Sequence, residues 1–255
     1  MIRSAVILAG GLGTRLSEET HIIPKPMVRI GNMPILWHIM KIYYHQGIKN
    51  FVICGGYKKE EISFFFRDYQ YYLDDFKFDS LAATCVKSRV EDWAVTVLDT
   101  GAGAQTAHRL LVASNFLKED FFHFTYGDGL SNCNLTEVEE FHSRSQSLVT
   151  LTAVSPPARF GVLVCENNTV VRFDEKAKGS SGLVNGGFGI VNRDAFVGVR
   201  SEAESFENDI LPQLAESGDV MAREHLGFWH PMDTLRDKRY LESLWDTGNA
   251  PWKIW

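Results

Sequence analysis

The amino-acid sequence predicts one α/β domain built on a mixed, mainly parallel sheet flanked by helices, with a strand-rich elaboration in its second half. Three observations predict this. Through the first 150 residues, short apolar runs rich in β-branched and aromatic side chains alternate with helical patterns, the order that produces parallel strands joined by crossover helices. After Leu148 the pattern becomes strand-rich. The 255 residues, 45% of them hydrophobic, suffice to bury one large core, and no repeat, linker or low-complexity tract divides them. The reading is therefore one domain spanning 1–255.

Ser4–Ala9 reads as the first strand. A helix is predicted over Pro34–Gln46, where Pro34 suits the first turn, Ile35, Ile39 and Ile42 recur along one face, and Gly47 can end it. Phe51–Cys54 follows as a strand, Lys58–Tyr72 as a helix, Thr96–Leu98 as a strand, Ala107–Phe116 as a helix and Phe121–Thr125 as a strand. Beyond them, Gly161–Cys165 and Thr169–Phe173 flank Glu166-Asn167-Asn168, a hairpin loop whose asparagines tolerate turn geometry. Val184–Val191 predicts another strand, and helical patterns near Asp209–Glu216 and Leu235–Asp246 close the chain.

Composition narrows the function. No run approaches the roughly 20 apolar residues that cross a bilayer, and Met1 leads almost directly into a strand, so a cytoplasmic protein without a membrane partner is expected. Cys54, Cys85, Cys133 and Cys165 show neither disulfide nor zinc spacing and are expected as buried free thiols. A net charge of -6 offers no general basic field for nucleic acid, so any phosphate must be met by a few placed cations.

Such cations occur beside a glycine loop. Leu8-Ala9-Gly10-Gly11-Leu12-Gly13-Thr14-Arg15-Leu16 directly follows the first strand, and Pro24-Lys25-Pro26-Met27 comes soon after. Glycines there let backbone N–H groups approach phosphate oxygens, while Arg15 and Lys25 can neutralise a polyphosphate. A dinucleotide fingerprint would need glycine where Leu16 stands, and a Walker A loop would need Gly-Lys where Thr14-Arg15 stands. Asp128, between two glycines after an apolar strand, fits either a turn or a metal ligand at a strand end. Asp233 fits either a helix cap or a metal ligand, and Glu175-Lys176 reads equally as a solvated surface pair.

The string Gly10 to Leu16, spaced from Pro24-Lys25-Pro26-Met27, resembles the signature of sugar-1-phosphate nucleotidyltransferases. Ser17-Glu18-Glu19-Thr20, Pro34 to Met40, Thr125-Tyr126-Gly127-Asp128-Gly129, Phe228 to Lys238 and Pro251-Trp252-Lys253 resemble the glucose-1-phosphate cytidylyltransferase branch almost end to end. The resemblance implies a Rossmann-like fold whose second half holds the sugar. It implies transfer of a nucleotidyl group from CTP to glucose 1-phosphate or a related sugar 1-phosphate, with pyrophosphate released and a CDP-sugar made. Arg15 and Lys25 would be catalytic. Leu8, Gly10, Gly11, Gly13, Thr14, Arg15, Lys25, Thr106 and Arg109 would hold the nucleotide, and Asp128 and Asp233 would hold Mg2+. Lys176 would bind the acceptor phosphate, with Glu175 and Asn185 near sugar hydroxyls. Magnesium draws charge from a triphosphate while orienting it, so an acceptor phosphate oxygen can attack in line without a protein nucleophile. The histidines are then packing or surface residues. Deoxysugar and lipopolysaccharide O-antigen synthesis is the implied context.

Other readings remain open: a dTTP- or UTP-using transferase, or a catalytically silent nucleotide-sugar-binding subunit. A metal-dependent glycosyltransferase lacks support, because no Asp-x-Asp ends a strand. The chain also departs from its relatives. Ala107-His108 stands where they commonly carry paired glycines facing the nucleotide, Gly189 replaces an aromatic residue expected at the sugar pocket, and Ala177 replaces a proline after Lys176. Finally, Trp245, Trp252 and Trp255 give the tail much aromatic surface. It must pack on the body or on another subunit, and a homo-oligomer is expected.

Overall fold

The computed structural model describes residues 2–11, 13, 16, 23–78, 83–157, 162–166, 169–174 and 182–255, with 162–166 and 169–174 described by backbone alone. In chain order, β1 is Ser4–Leu8, β2 Arg29–Ile30, β3 Met33–Pro34, α1 Ile35–His45, β4 Asn50–Gly55, α2 Lys59–Arg67 and α3 Gln70–Leu73. They are followed by β5 Asp75–Phe78, β6 Ala83–Lys87, β7 Ala94–Asp99, α4 Thr106–Ser114, β8 Phe121–Tyr126, β9 Gly129–Ser131, α5 Leu135–Ser145 and β10 Val149–Val154. The second half continues with β11 Val162–Glu166, β12 Thr169–Asp174, β13 Val184–Asn185, β14 Gly189–Asn192, α6 Leu211–Glu216, β15 Val220–His225, β16 Trp229–Pro231 and α7 Leu235–Asp246.

The main sheet runs β13-β10-β14-β8-β1-β4-β7, with β15 paired to β10. Strands β8, β1, β4 and β7 are mutually parallel, while β14 runs antiparallel to both β8 and β10. The predicted mixed, mainly parallel sheet is therefore present, and β1 lies at its centre. Alternation along β1 sends Ala5 and Ile7 into one core with α1, and Val6 and Leu8 into another with α4. Ile35, Ile39 and Ile42 are fully buried, as their spacing predicts, and Gly47 ends the helix with φ +96.

Two predicted elements are broken, each by a tertiary contact. The helix expected over Lys58–Tyr72 divides into α2 and α3 around Tyr69, which is drawn inward. Its hydroxyl accepts from Trp37 Nε1 at 2.7 Å and donates to Glu91 at 2.5 Å. The strand expected over Val184–Val191 divides into β13 and β14 because Gly187 and Phe188 are left-handed, at φ +73 and +50. Phe188 tolerates that backbone because its buried ring stacks on Tyr43, with centroids 5.5 Å apart. Of the cysteines, Cys54 and Cys133 are buried but Cys85 is exposed on β6, which corrects the expectation for that thiol.

The tail tryptophans pack on their own chain. Trp252 is fully buried beside Phe228, and its indole donates to His38 Nδ1 at 3.4 Å, while Trp245 and Trp255 pack edge-on to His38 and Trp37. This removes the tail as an argument for self-association. His38 Nε2 faces the Ile30 carbonyl at 3.0 Å, so the ring is neutral with its proton on Nε2. Burial pushes its pKa down to about 4. A folded pKa below the unfolded one means stability present above about pH 6.5 is lost as pH falls toward 4, by on the order of 3 kcal/mol. Urea unfolding between pH 7.5 and 4.5 is expected to show this loss, flattened in His38→Phe. Parallel curves for the two proteins would exclude His38 as its source.

Candidate functional site

Three turns meet at the carboxyl ends of β1 and β8. The Gly127 amide donates to the Leu8 carbonyl at 2.9 Å, docking the turn after β8 on the end of β1. A Cβ at Gly127 would lie 2.9 Å from the Pro26 ring and 3.0 Å from that carbonyl, so glycine here is what lets the Lys25–Met27 turn close onto it. Asp233 arrives from the far end of the sequence by β-pairing. Pro231 lies opposite Gly129, and the Met232 amide donates to the Asp128 carbonyl at 2.8 Å.

The result is a compact charge cluster. Lys25 Nζ lies 2.6 Å from Asp128 Oδ2 and 2.8 Å from Asp233 Oδ1, with Lys25 and Asp233 buried. Burial opposes the ammonium charge, yet the Asp128 carboxylate, followed by hydrogen bonds to both aspartates, holds the Lys25 pKa above its ordinary value. The helix-cap alternative for Asp233 is taken instead by Thr234, whose hydroxyl accepts the Asp237 amide at 3.2 Å in a reciprocal capping box.

Beside the cluster opens a cleft of about 280 Å³, lined by Leu8, Gly10, Gly11, Gly13, Lys25, Thr106, Arg109 and Asp128 among the predicted residues, and also by Gln105, Tyr126 and Gly127. Arg109 lines it as a strut. The residue is only 4% exposed, and its guanidinium donates to Thr100 Oγ1 at 2.5 Å, to Gly55 O at 3.0 Å and to Gly10 O at 3.1 Å, fixing the glycine loop to β4. A Cβ at Gly10 would fall 2.0 Å from this guanidinium. Asn185 reaches the cleft wall through Tyr126, donating to its hydroxyl at 3.2 Å. Thr14, Arg15, Glu175, Lys176 and Ala177 lie outside the described residues.

Two carboxylate oxygens within hydrogen-bond reach of one nitrogen form a hard-oxygen donor set that fits a divalent cation. Among the described residues no third His, Cys, Asp or Glu joins them. Asp128 and Asp233 are the groups that would hold it.

The sequence departures among the described residues, Ala107, His108 and Gly189, do not line this cleft. Ala107 is fully buried in the core, and His108 turns toward Glu202, 3.9 Å away. Gly189 does not trim a sugar pocket: a Cβ there would meet Phe124 Cε1 and Thr150 O, each at 2.6 Å. The backbone has no room for an aromatic residue, so this expectation is corrected. Gly189→Ala is expected to cost about 1–3 kcal/mol by overpacking, lowering the melting temperature by roughly 5 °C without changing substrate preference. An unchanged melting temperature would contradict the packing.

Tyr126 and Glu207 were not singled out by the sequence reading. Tyr126 stood inside the recognised Thr125–Gly129 string, but Glu207 has no local signal. It enters from a π-helical turn, Phe206–Ile210, and accepts from Thr106 and Tyr126 at 2.5 Å each.

Residues 4–249 match the model of the nucleotidyl transferase family, and the chain belongs to that family, whose members generally use a divalent metal. Within it, the chain is similar to the glucose-1-phosphate cytidylyltransferase of Salmonella typhi, at 48% identity over 98% of this chain and 99% of the relative. The probable glucose-1-phosphate cytidylyltransferase of Bacillus subtilis (strain 168) is 38% identical over 98% and 99%. Among solved structures, HddC from Yersinia pseudotuberculosis has a TM-score of 0.70 at 22% identity, covering 96% of this chain and 100% of that one. The inositol-1-phosphate CTP transferase from T. maritima has a TM-score of 0.65 at 15% identity, covering 95% of each. These two structures share the α/β fold.

Proposed function

We propose that this chain transfers the cytidylyl group of CTP to glucose 1-phosphate or a related sugar 1-phosphate, giving a CDP-sugar and pyrophosphate. The observation that carries the reading is the convergence of Lys25, Asp128 and Asp233 beside a glycine cleft at parallel strand ends, the crevice where open α/β sheets bind ligands. Near-complete alignment with a glucose-1-phosphate cytidylyltransferase at 48% identity supports the substrate pair.

In this reading the triphosphate lies over the backbone of Gly10, Gly11, Gly13 and Thr14, with Arg15 and Lys25 supplying positive charge and Leu8, Thr106 and Arg109 forming or bracing the nucleotide wall. Lys176 binds the acceptor phosphate, and Glu175 and Asn185 lie near the hydroxyls of the sugar. Asp128 and Asp233 would hold Mg2+, which when bound withdraws charge from the phosphates. Transfer then requires the acceptor phosphate oxygen in line with the α-phosphorus, so the chain's contribution is orientation and charge placement. The reaction belongs in the cytoplasm, and among the described residues no helix is long and apolar enough to cross a membrane. Self-association belongs to this reading too, supported now by the exposed Phe78 and Val86 of the β5–β6 hairpin.

The test is a screen of the common nucleoside triphosphates against sugar 1-phosphates, with pyrophosphate and nucleotide-sugar quantified. CTP with glucose 1-phosphate is expected to give the highest kcat/KM. Preferred use of dTTP or UTP would overturn the nucleotide assignment, and binding without turnover would make the chain a silent subunit.

A further inference from the structure

Counting hydroxyl protons reveals a polarity in the cleft that neither the fold nor the family match specifies. A carboxylate accepts hydrogen bonds and donates none, and each hydroxyl has a single proton to give. Glu207 Oε1 receives the Tyr126 hydroxyl at 2.5 Å, while Oε2 receives the Thr106 hydroxyl at 2.5 Å and that of Ser205 at 2.9 Å. Both cleft-lining hydroxyls therefore give their protons away from the cleft. Each also accepts one bond: Tyr126 from Asn185 Nδ2 at 3.2 Å, and Thr106 from the Phe206 amide at 2.8 Å. What each retains for a ligand is a lone pair.

The Arg109 guanidinium is committed to Gly10, Gly55 and Thr100, and the exposed Gln105 amide can turn either face to a ligand. The same cleft is also lined by Lys25 and the glycine loop. Toward the cleft the Thr106 and Tyr126 hydroxyls are thus acceptors, while Lys25 brings positive charge to it. Phosphate belongs beside the ammonium, and an oxygen with no proton is repelled by the lone pairs of the two hydroxyls.

We infer that Glu207 is a positioning residue for substrate selection: by taking the hydroxyl protons of Thr106 and Tyr126, it makes their wall a receptor for an N–H or O–H donor of a substrate and disfavours a carbonyl or phosphate oxygen there. The inference rests on the proposed nucleotidyl transfer. Two parts of the substrates carry such donors: the exocyclic amino group of cytosine, and the hydroxyls of ribose or of the acceptor sugar. Both have the same chemistry, and substrate analogues separate them.

Glu207→Gln keeps the side-chain shape but replaces one acceptor oxygen by a donating NH2, so one hydroxyl must reverse and aim its proton into the cleft. Three ratios of kcat/KM are measured in natural protein and variant: CTP against UTP, CTP against its 2′- and 3′-deoxy analogues, and the sugar 1-phosphate against its deoxy analogues. In the natural protein at least one ratio is expected to favour the donor-bearing substrate by about tenfold or more, as good polar discrimination does. In Glu207→Gln that ratio is expected to fall to within about threefold of unity, largely through KM, while the others hold. The ratio that collapses identifies the donor. Tyr126→Phe and Thr106→Val, which remove one lone-pair site each, are expected to reduce the same ratio, and they decide the matter if Glu207→Gln does not fold. A uniform fall in kcat with all ratios intact would overturn the inference and make Glu207 a structural brace. Failure of the natural protein to release pyrophosphate with any pair would instead overturn the proposed function.

Discussion

Asp128→Asn and Asp233→Asn are each expected to lower kcat by about 10³-fold, roughly 4 kcal/mol of transition-state stabilisation, in a protein that still folds. Each change replaces a carboxylate by an amide of the same size at the point where both oxygens meet Lys25 Nζ. The ammonium keeps one carboxylate partner in either variant, so the cluster loses its cation-binding charge without leaving Lys25 buried alone. Pyrophosphate release at saturating Mg2+ measures the effect, and circular dichroism checks the fold. A variant within tenfold of the natural kcat would remove that aspartate from the centre.

Lys25→Met is expected to reverse the roles of stability and metal. The substitution leaves two carboxylates close together with their shared cation gone, in a site where Lys25 and Asp233 are 9% and 8% exposed. Breaking a buried charge cluster from one side costs about 3–5 kcal/mol, or roughly 10 °C in melting temperature for a chain of this size. Millimolar Mg2+ is expected to recover a large part of that loss in Lys25→Met and to stabilise the natural protein less, because there the ammonium already offsets one of the two carboxylate charges. Turnover stays low even with the metal, since the proposed phosphate cation is gone. A melting temperature in Lys25→Met that does not respond to Mg2+ would show that the two aspartates do not form a cation site.

The glycine loop and the parallel core were legible because their causes are local. β1 needs only an apolar run, and its end needs glycines where Arg109 and the Gly127 turn press close. The breaks at Tyr69 and at Gly187-Phe188 were not legible, because each is set by a partner distant in the chain, Glu91 and Trp37 in one case and Tyr43 in the other. Helix α5 was missed although Asn134 caps it by accepting from the Thr136 and Glu137 amides, a signal the residues carried. In the site, the ambiguity of Asp233 between cap and ligand lay in the sequence itself. Only the pairing of β9 with β16 separates it from Thr234 and brings it to Lys25. Glu207 was out of reach altogether, since its partners Thr106 and Tyr126 precede it by 101 and 81 positions.

The central claim is a single in-line transfer, with the acceptor phosphate attacking the α-phosphorus directly and the chain supplying orientation and charge. The stereochemical course at phosphorus tests it most directly. With CTP carrying a chiral α-thiophosphate, glucose 1-phosphate and Mg2+, the product CDP-glucose α-thiophosphate is expected to have inverted configuration, accompanied by one pyrophosphate per product. Retention would require two displacements through a covalent cytidylyl-enzyme, and would contradict the account.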